Sequence, residues 1–387
     1  MGGVGLIGEW RALRRLRKLP ASERAIVFYS EGPEYWVHYQ PIVGHLTGVM
    51  GRRVCYVSSS PRDPGLHQND PLIRPFDIGK GLVRTIFFKV LDGGVLVLTM
   101  TDLGNLYIRR SALPVHFAYV YHSLVSTHMI YRTRAFEHYD SILCCGPHHV
   151  AELRQTEALY GLSETPLFEH GYGRLDSILA ARGEKPRPAA GEGGQKRILV
   201  APSWGPRGLF ESGLGETLVD RLLEAGFQVT VRPHPQTLIL DRDCLTRLVG
   251  RFDGHPGFAD EEDVGPEDSL HAADLMVSDW SGAGLEFAFA LERPVLFIDV
   301  PRKVNNPDYE RLENVPIEVA LREELGAVVA PERIGDAPRM ADELLAAGDR
   351  YAEQARRLRE KWVYNVGESG ARGAEILAQL ADGLENR

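Results

Sequence analysis

The stretch VRPHPQ, residues 231–236, closes the apolar run GFQVTV with a cation, a histidine and two prolines. The run has the β-branched composition of a buried strand. Its end reads in two ways. Arg232-Pro233-His234-Pro235 is either a plain turn or a site at the carboxyl edge of a sheet, where ligands of α/β proteins bind. A lone histidine after a strand is ordinarily a surface residue or a hydrogen-bonded one. The prolines alter that balance, because they fix the backbone and remove two N–H donors. A rigid turn carrying Arg232 and His234 suits a diphosphate: one permanent cation, and one group able to donate a hydrogen bond.

The same strand grammar repeats on both sides of this stretch. Upstream stand AIVFYS (25–30), RVCYVSS (53–59), VLVLTM (95–100), HFAYVYH (116–122) and SILCC (141–145). RILVAP (197–202), DLMVSD (274–279) and PVLFIDV (294–300) complete the second half. Near-continuous apolar runs separated by helical stretches predict parallel sheets covered on both faces. Residues 181–196, ARGEKPRPAAGEGGQK, interrupt the pattern and are too rich in Gly, Pro and charge to add much to a core. The expected organisation is an N-terminal helix at 1–20, a Rossmann-like domain at 21–185, a linker at 186–196, a second Rossmann-like domain at 197–348 and a helical tail at 349–387. That is a two-domain α/β protein of doubly wound halves with a cleft between them, a usual place for a small ligand. A single dinucleotide-binding domain fits less well, since no G-x-G-x-x-G follows the first strand.

Bulk properties agree with a soluble globular protein. The chain has 387 residues, 44% hydrophobic and 25% charged. A formal charge of −9 argues against nucleic acid as a partner. Four cysteines without metal-ligand spacing fit a reducing cytoplasm. The segment GEWRALRRLRKLP (8–20) sets Arg11, Arg14, Arg15, Arg17 and Lys18 among Trp10, Leu13, Leu16 and Leu19 at helical spacing. It lacks the apolar run of a signal peptide or a membrane span. Two readings stand: a basic helix on an anionic membrane surface, or a terminal helix docked on its own domain.

Polar residues gather at the predicted strand ends. APSWGPRG (201–208) offers Ser203, Trp204 and Arg207. SDWSGAGLEFAFA (278–290) places Asp279, Ser281, Gly282 and Gly284 before a helix, with Glu286 about one turn inside it. The unpaired amides and positive macrodipole of a helix start welcome an anion, and glycines let a ligand approach the backbone. Asp279 or Ser281 as a simple N-cap is the plainer reading. In the first half, VYHSLVSTHMIYR (120–132) puts His122 at a strand edge, with His128 and Arg132 one turn apart on a predicted helix. EHGYGRLD (169–176) places Arg174 and Asp176 in a loop before the next helix. The tripeptide DRD (241–243) is a weak metal signal, and DEED (260–263) reads as a solvated loop.

The order of these elements resembles the CDP-glycerol glycerophosphotransferase family, teichoic-acid primases and polymerases of GT-B architecture, over roughly residues 115–300. A "WHG"-like element is YHS here, with His122; a "GYPRND"-like one is GYGRLD; an "APTWR"-like one is APSWG; a basic residue before "PHP" is Arg232; and "SDYSS…FDFA" is SDWSGAGLEFAFA. The resemblance implies that His122 is the general base on an acceptor hydroxyl. It implies that Arg232, His234 and Ser281 bind or polarise donor phosphates, with Asp279 ordering that loop and Glu286 holding nucleotide or polyol hydroxyls. Ser203, Arg207 and Gly282 join the donor set, while His128, Arg132, Arg174 and Asp176 fall to the acceptor side. Three departures bear on substrate: Ser123 follows the histidine, Gly282 replaces a second serine, and Gly205 replaces the arginine of "APTWR". They weaken CDP-glycerol itself more than a nucleotide-activated donor in general.

The expected protein is therefore a metal-independent transferase. It would move a glycerol-phosphate-like group from a CDP-linked donor to a hydroxyl of a lipid-linked glycan or polyol-phosphate acceptor, at the cytoplasmic face of a membrane, and release nucleoside monophosphate. A GT-B glycosyltransferase using a nucleotide-diphosphate sugar is the alternative. A non-catalytic nucleotide-binding protein of the same fold is the third reading.

Overall fold

The computed structural model describes residues 5–101, 103–104, 108–184, 194–262 and 267–385. The chain forms two compact units, each built on one parallel sheet. Strands β1 Ile26–Ser30, β2 Val54–Ser58, β3 Ile73–Asp77, β4 Val95–Leu98, β5 His116–Val120, β6 Ser141–Cys144 and β7 Leu167–Glu169 make the first sheet, in the order β3-β2-β1-β4-β5-β6-β7. The second has β8 Arg197–Val200, β9 Gln228–Val231, β10 Phe258–Asp260, β11 Leu275–Ser278, β12 Val295–Ile298 and β13 Gly326–Val329, in the order β10-β9-β8-β11-β12-β13. Both orders reverse direction after their first strand, at β1/β4 and at β8/β11. Such a reversal opens a crevice at the strand carboxyl ends.

Physical cause is visible in the registers. Val277 of β11 lies beside Val200 of β8, and Val27 of β1 beside Cys55 of β2, so apolar side chains line both faces of the central strands. In the second unit Val200, Leu218, Leu222, Val229 and Ile298 are buried together. Each fully buried side chain of that kind contributes roughly 1.5–3 kcal/mol. Gly326 opens β13 because a Cβ there would run into the Val295 carbonyl oxygen of β12. In the first unit the core includes Phe28, Tyr39, Ile42 and Leu46, closed by Ala374, Leu377 and Ala381 of the helix Ser369–Glu385.

Several boundaries differ from the sequence reading. The first unit is Met1–Ser123, Tyr131–Ser177 and Val363–Arg387; the second is Leu124–Ile130 and Ile178–Trp362. The helical tail read at 349–387 is thus divided: Val363–Arg387 returns to the first unit, where the helix Ser369–Glu385 packs on Trp36–Gly48. Residues 186–193 of the expected linker lie outside the described residues, and 181–184 complete the helix Gly173–Glu184. Asp263 of the acidic run also lies outside them. No helix forms around His128 and Arg132; residues 123–139 run as turns and bends, each chain direction fixed by separate anchors described below. Arg174 and Asp176 stand in the first turn of the helix Gly173–Glu184 rather than in the loop before it.

The N-terminal helix Leu6–Lys18 is docked on its own unit: Ala12, Leu13 and Leu16 are buried and Arg15 lies over the Phe76 ring at 5.4 Å. Its other face exposes Leu6, Ile7, Arg11, Arg14, Arg17 and Lys18. Among the described residues no helix is long and apolar enough to cross a membrane.

His170, just after β7, is 1% exposed, and Gly373 approaches so closely that a Cβ would press on the ring. Burial pushes its pKa down to about 4, against a weaker pull from the Ser369 backbone. The folded chain thus holds His170 neutral while the unfolded chain protonates it below about pH 6.5. Stability from this group is present above that pH and is lost as pH falls toward 4, about 3 kcal/mol in all. Urea unfolding at pH 7 and pH 5 should show this slope, and His170→Gln should reduce it, the remainder coming from other buried histidines such as His38; an equal slope in both proteins would contradict the assignment.

Candidate functional site

The second sheet gathers its polar loops at the reversal between β8 and β11. Asp279, directly after β11, is 1% exposed. Its Oδ1 accepts from the Ser203 amide and the Trp280 amide, both at 2.6 Å, so one carboxylate ties the loop after β8 to the loop after β11. Burial raises its pKa, the two amide bonds oppose that shift, and Glu211 adds to the rise. Ser281 is the N-cap of the helix Gly282–Leu291, its Oγ accepting from the Ala283 amide at 3.3 Å. Capping and loop ordering therefore coexist, on different residues. Gly284 is buried for packing, since a Cβ there would crowd Phe297; it gives a ligand no approach. Glu286 is buried in the same helix.

The loop after β9 holds His234 as the N-cap of the short helix Pro235–Leu240, its Nδ1 accepting from the Gln236 amide at 3.1 Å. In the neutral ring the proton then sits on Nε2, which is a donor. The His234 ring stands 6.1 Å from that of Trp204, a residue of the loop after β8. Arg232 is buried, with Glu261 at 3.9 Å on the β10 side. Arg207 is exposed. The loops after β8, β9 and β11 thus bring together Ser203, Trp204, His234, Asp279 and Ser281.

Two residues of this cluster carried no signal in the sequence. Glu211 accepts from the Thr237 hydroxyl at 2.8 Å, and its Oε2 is buried with no hydrogen-bond partner among the described residues. Lys303, five residues after β12, lies over the Trp204 ring at 3.6 Å. Beside the cluster, Trp280 is covered by Arg322 at 4.0 Å and Arg302 at 5.7 Å, and donates to the Val300 carbonyl at 2.7 Å. Arg322 pairs with Asp299 at 2.6 Å, and these groups line a cavity of about 500 Å³ with Val319 and Glu323.

In the first unit His122 follows β5, and its main chain is pinned by the Tyr172 hydroxyl, which donates to the His122 carbonyl at 3.0 Å. Tyr35, Tyr131 and His38 surround the ring, with centroids at 5.7, 6.0 and 6.2 Å. His38 is buried, and desolvation first, then the fields of His122 and Arg174, holds its pKa well below 6.5. The His122 ring thus stands among aromatic side chains, beside a His38 that burial keeps neutral.

The remaining acceptor-side candidates are occupied structurally. Asp176 caps the helix Ser369–Glu385: Oδ1 accepts from the Gly367 amide at 2.7 Å and Oδ2 from the Ser369 amide at 2.9 Å and its hydroxyl. His128 is buried in the second unit, its Nε2 3.1 Å from the Asn314 carbonyl oxygen and its own carbonyl held by Asn306. Arg132 donates to the Thr101 carbonyl at 2.8 Å. Asp241 of DRD caps its helix through the Cys244 amide. Among the described residues no group of three or more His, Cys, Asp or Glu side chains is placed to hold a metal ion.

No family model matches the chain, and no curated protein sequence does. Solved structures do match it. The wall teichoic acid polymerase TagF, solved with CDPG, is 13% identical with a TM-score of 0.56, over 98% of this chain and 99% of its own. S. aureus MnaA, solved with UDP, is 11% identical with a TM-score of 0.59, over 94% and 97%. The Methanocaldococcus jannaschii UDP-GlcNAc 2-epimerase, in complex with UDP-GlcNAc and UDP, is 14% identical with a TM-score of 0.57, over 92% and 99%. At these identities the likeness establishes the fold: a GT-B-like α/β chain with two Rossmann-like sheets.

Proposed function

We propose that the protein is a transferase using a nucleotide-diphosphate donor, bound at the reversal point of the second sheet. The observation that carries this reading is the Asp279 bridge, which fixes the loops after β8 and β11 where ligands of open α/β sheets bind. An anion there would meet the start of the helix Gly282–Leu291 and the Nε2 donor of His234. Glu286, one turn into that helix, would take ribose or polyol hydroxyls.

The preferred reaction is transfer of a polyol phosphate from a CDP-activated donor. His122 would take the proton of an acceptor hydroxyl; the oxygen would form a bond to the donor's distal phosphorus, the bridging P–O bond would break, and CMP would leave. The motif order around His122, Arg232 and Ser281 supports this, as does the likeness to a teichoic acid polymerase over nearly the whole chain. A lipid-linked glycan or polyol phosphate is the proposed acceptor, at the cytoplasmic face of a membrane. The UDP-bound neighbours favour a second reading, transfer or rearrangement of a nucleotide sugar.

Product analysis separates the two: CMP from a CDP-linked donor supports phosphotransfer, whereas UDP or GDP from a nucleotide sugar supports the second reading. His122→Ala should lower turnover about 10²–10⁴-fold with donor binding retained; unchanged turnover would reject the base. The exposed Leu6 and Ile7 beside Arg11, Arg14, Arg17 and Lys18 should bind vesicles containing anionic lipid. Replacing those four cations with Gln should abolish co-sedimentation, and equal pelleting of the variant would remove the membrane role.

A further inference from the structure

We propose that Lys303 is the titrating cation of the donor site: its ammonium, laid on the face of Trp204, contacts the donor diphosphate and makes binding of nucleoside diphosphates depend on pH. The inference rests on the donor-site reading above and adds a residue outside every motif of the sequence.

Geometry comes first. Lys303 belongs to the loop after β12, Trp204 to the loop after β8, and the two strands flank β11, whose loop carries Asp279 and Ser281. The Lys303 nitrogen stands 3.6 Å from the Trp204 ring centroid. A cation over an indole is held by the ring quadrupole, the more strongly the more it is desolvated. The stack therefore fixes the ammonium against a ring whose other neighbour is His234, at 6.1 Å. Lys303 is half-buried, yet it has no ion pair within 4 Å among the described residues. A partly desolvated ammonium without a paired carboxylate is a costly arrangement unless an anion arrives to complete it.

The surrounding charges explain why the residue stays poised. Asp279 and Glu211 face it and favour its charged form, yet neither lies within ion-pair distance: Asp279 Oδ1 accepts from the Ser203 and Trp280 amides and Glu211 Oε1 from the Thr237 hydroxyl, while Asp279 Oδ2 and Glu211 Oε2 are buried with no hydrogen-bond partner among the described residues. Its chain neighbour Arg302 lies over Trp280 instead. Desolvation dominates the balance and lowers the Lys303 pKa to about 8, against the opposing pull of Asp279 and Glu211. Arginine would stay charged at any working pH. Lysine in this setting is charged at pH 7 and largely neutral by pH 9.

A bound diphosphate favours the ammonium and raises its pKa, so binding takes up a proton when the free residue is half-ionised. The phosphates themselves have finished titrating by pH 7, with a second pKa near 6, so they add little slope above that point.

Calorimetric titration of CDP, with UDP as a second probe, tests this on the full chain at pH 7, 8 and 9 in buffers of contrasting ionisation heat. Wild-type Kd should rise about tenfold from pH 7 to pH 9, with about half a proton taken up per site at pH 8. Lys303→Arg should keep the pH 7 affinity and lose both the slope and the proton uptake. Lys303→Met should bind about tenfold more weakly at pH 7, again without slope. A wild-type slope retained in the arginine variant, which preserves charge and packing, would overturn the role of Lys303 while leaving the donor site standing. Failure of the wild-type chain to bind either diphosphate would instead overturn the donor site, and this role with it.

Discussion

One buried carboxylate organises the second unit. Asp279 sits at the carboxyl end of β11, where the strand order turns back on itself, and accepts the Ser203 and Trp280 amides on one oxygen. Charge-assisted bonds of this type contribute about 1.5–3 kcal/mol each, and removing the acceptor would leave two buried amides unpaired. Without that bridge, the Ser203-Trp204 segment would have no fixed relation to Ser281 and the helix behind it. Trp204 then serves as a platform, with His234 at one side and Lys303 on its face. Loops after four neighbouring strands of the sheet, β9, β8, β11 and β12, carry His234, Trp204, Asp279 and Lys303 to the carboxyl end where the topology opens a crevice.

The fold was legible where strands are central, and faint where they are not. β1, β2, β8 and β11 read as apolar runs because both faces are covered, and all were found in the sequence. The four strands that escaped notice, β3, β7, β10 and β13, are the edges of the two sheets. Edge strands are half-solvated, so they keep polar residues: IRPFD carries an arginine and a proline, and FAD ends on an acid. The domain boundaries slipped for a different reason. Helical periodicity identifies a helix but not the sheet it packs on, so the return of Val363–Arg387 to the first unit was invisible.

The candidate cluster was legible only where motif order spoke. Asp279, Ser281, Ser203 and His234 lie together at the carboxyl ends of the inner strands β8, β9 and β11, as strand-end placement suggested. Asp176 and His128 were placed on the acceptor side by their position in GYGRLD and after His122; their partners, Ser369 and Asn314, are more than 180 residues away, and no local pattern announces a bond of that span. Lys303 was missed from the opposite side. PRKVNN looks like an ordinary charged loop, and only the fold sets its ammonium on an indole from a residue 99 positions earlier (303 minus 204).

A crystal structure of the protein with bound CDP tests the central claim most directly. The account predicts the diphosphate over the start of the helix Gly282–Leu291, among the loops that carry Ser203, His234 and Lys303, with the Asp279 bridge intact. Density for the nucleotide elsewhere on the chain, or at that edge with the bridge broken, would contradict it.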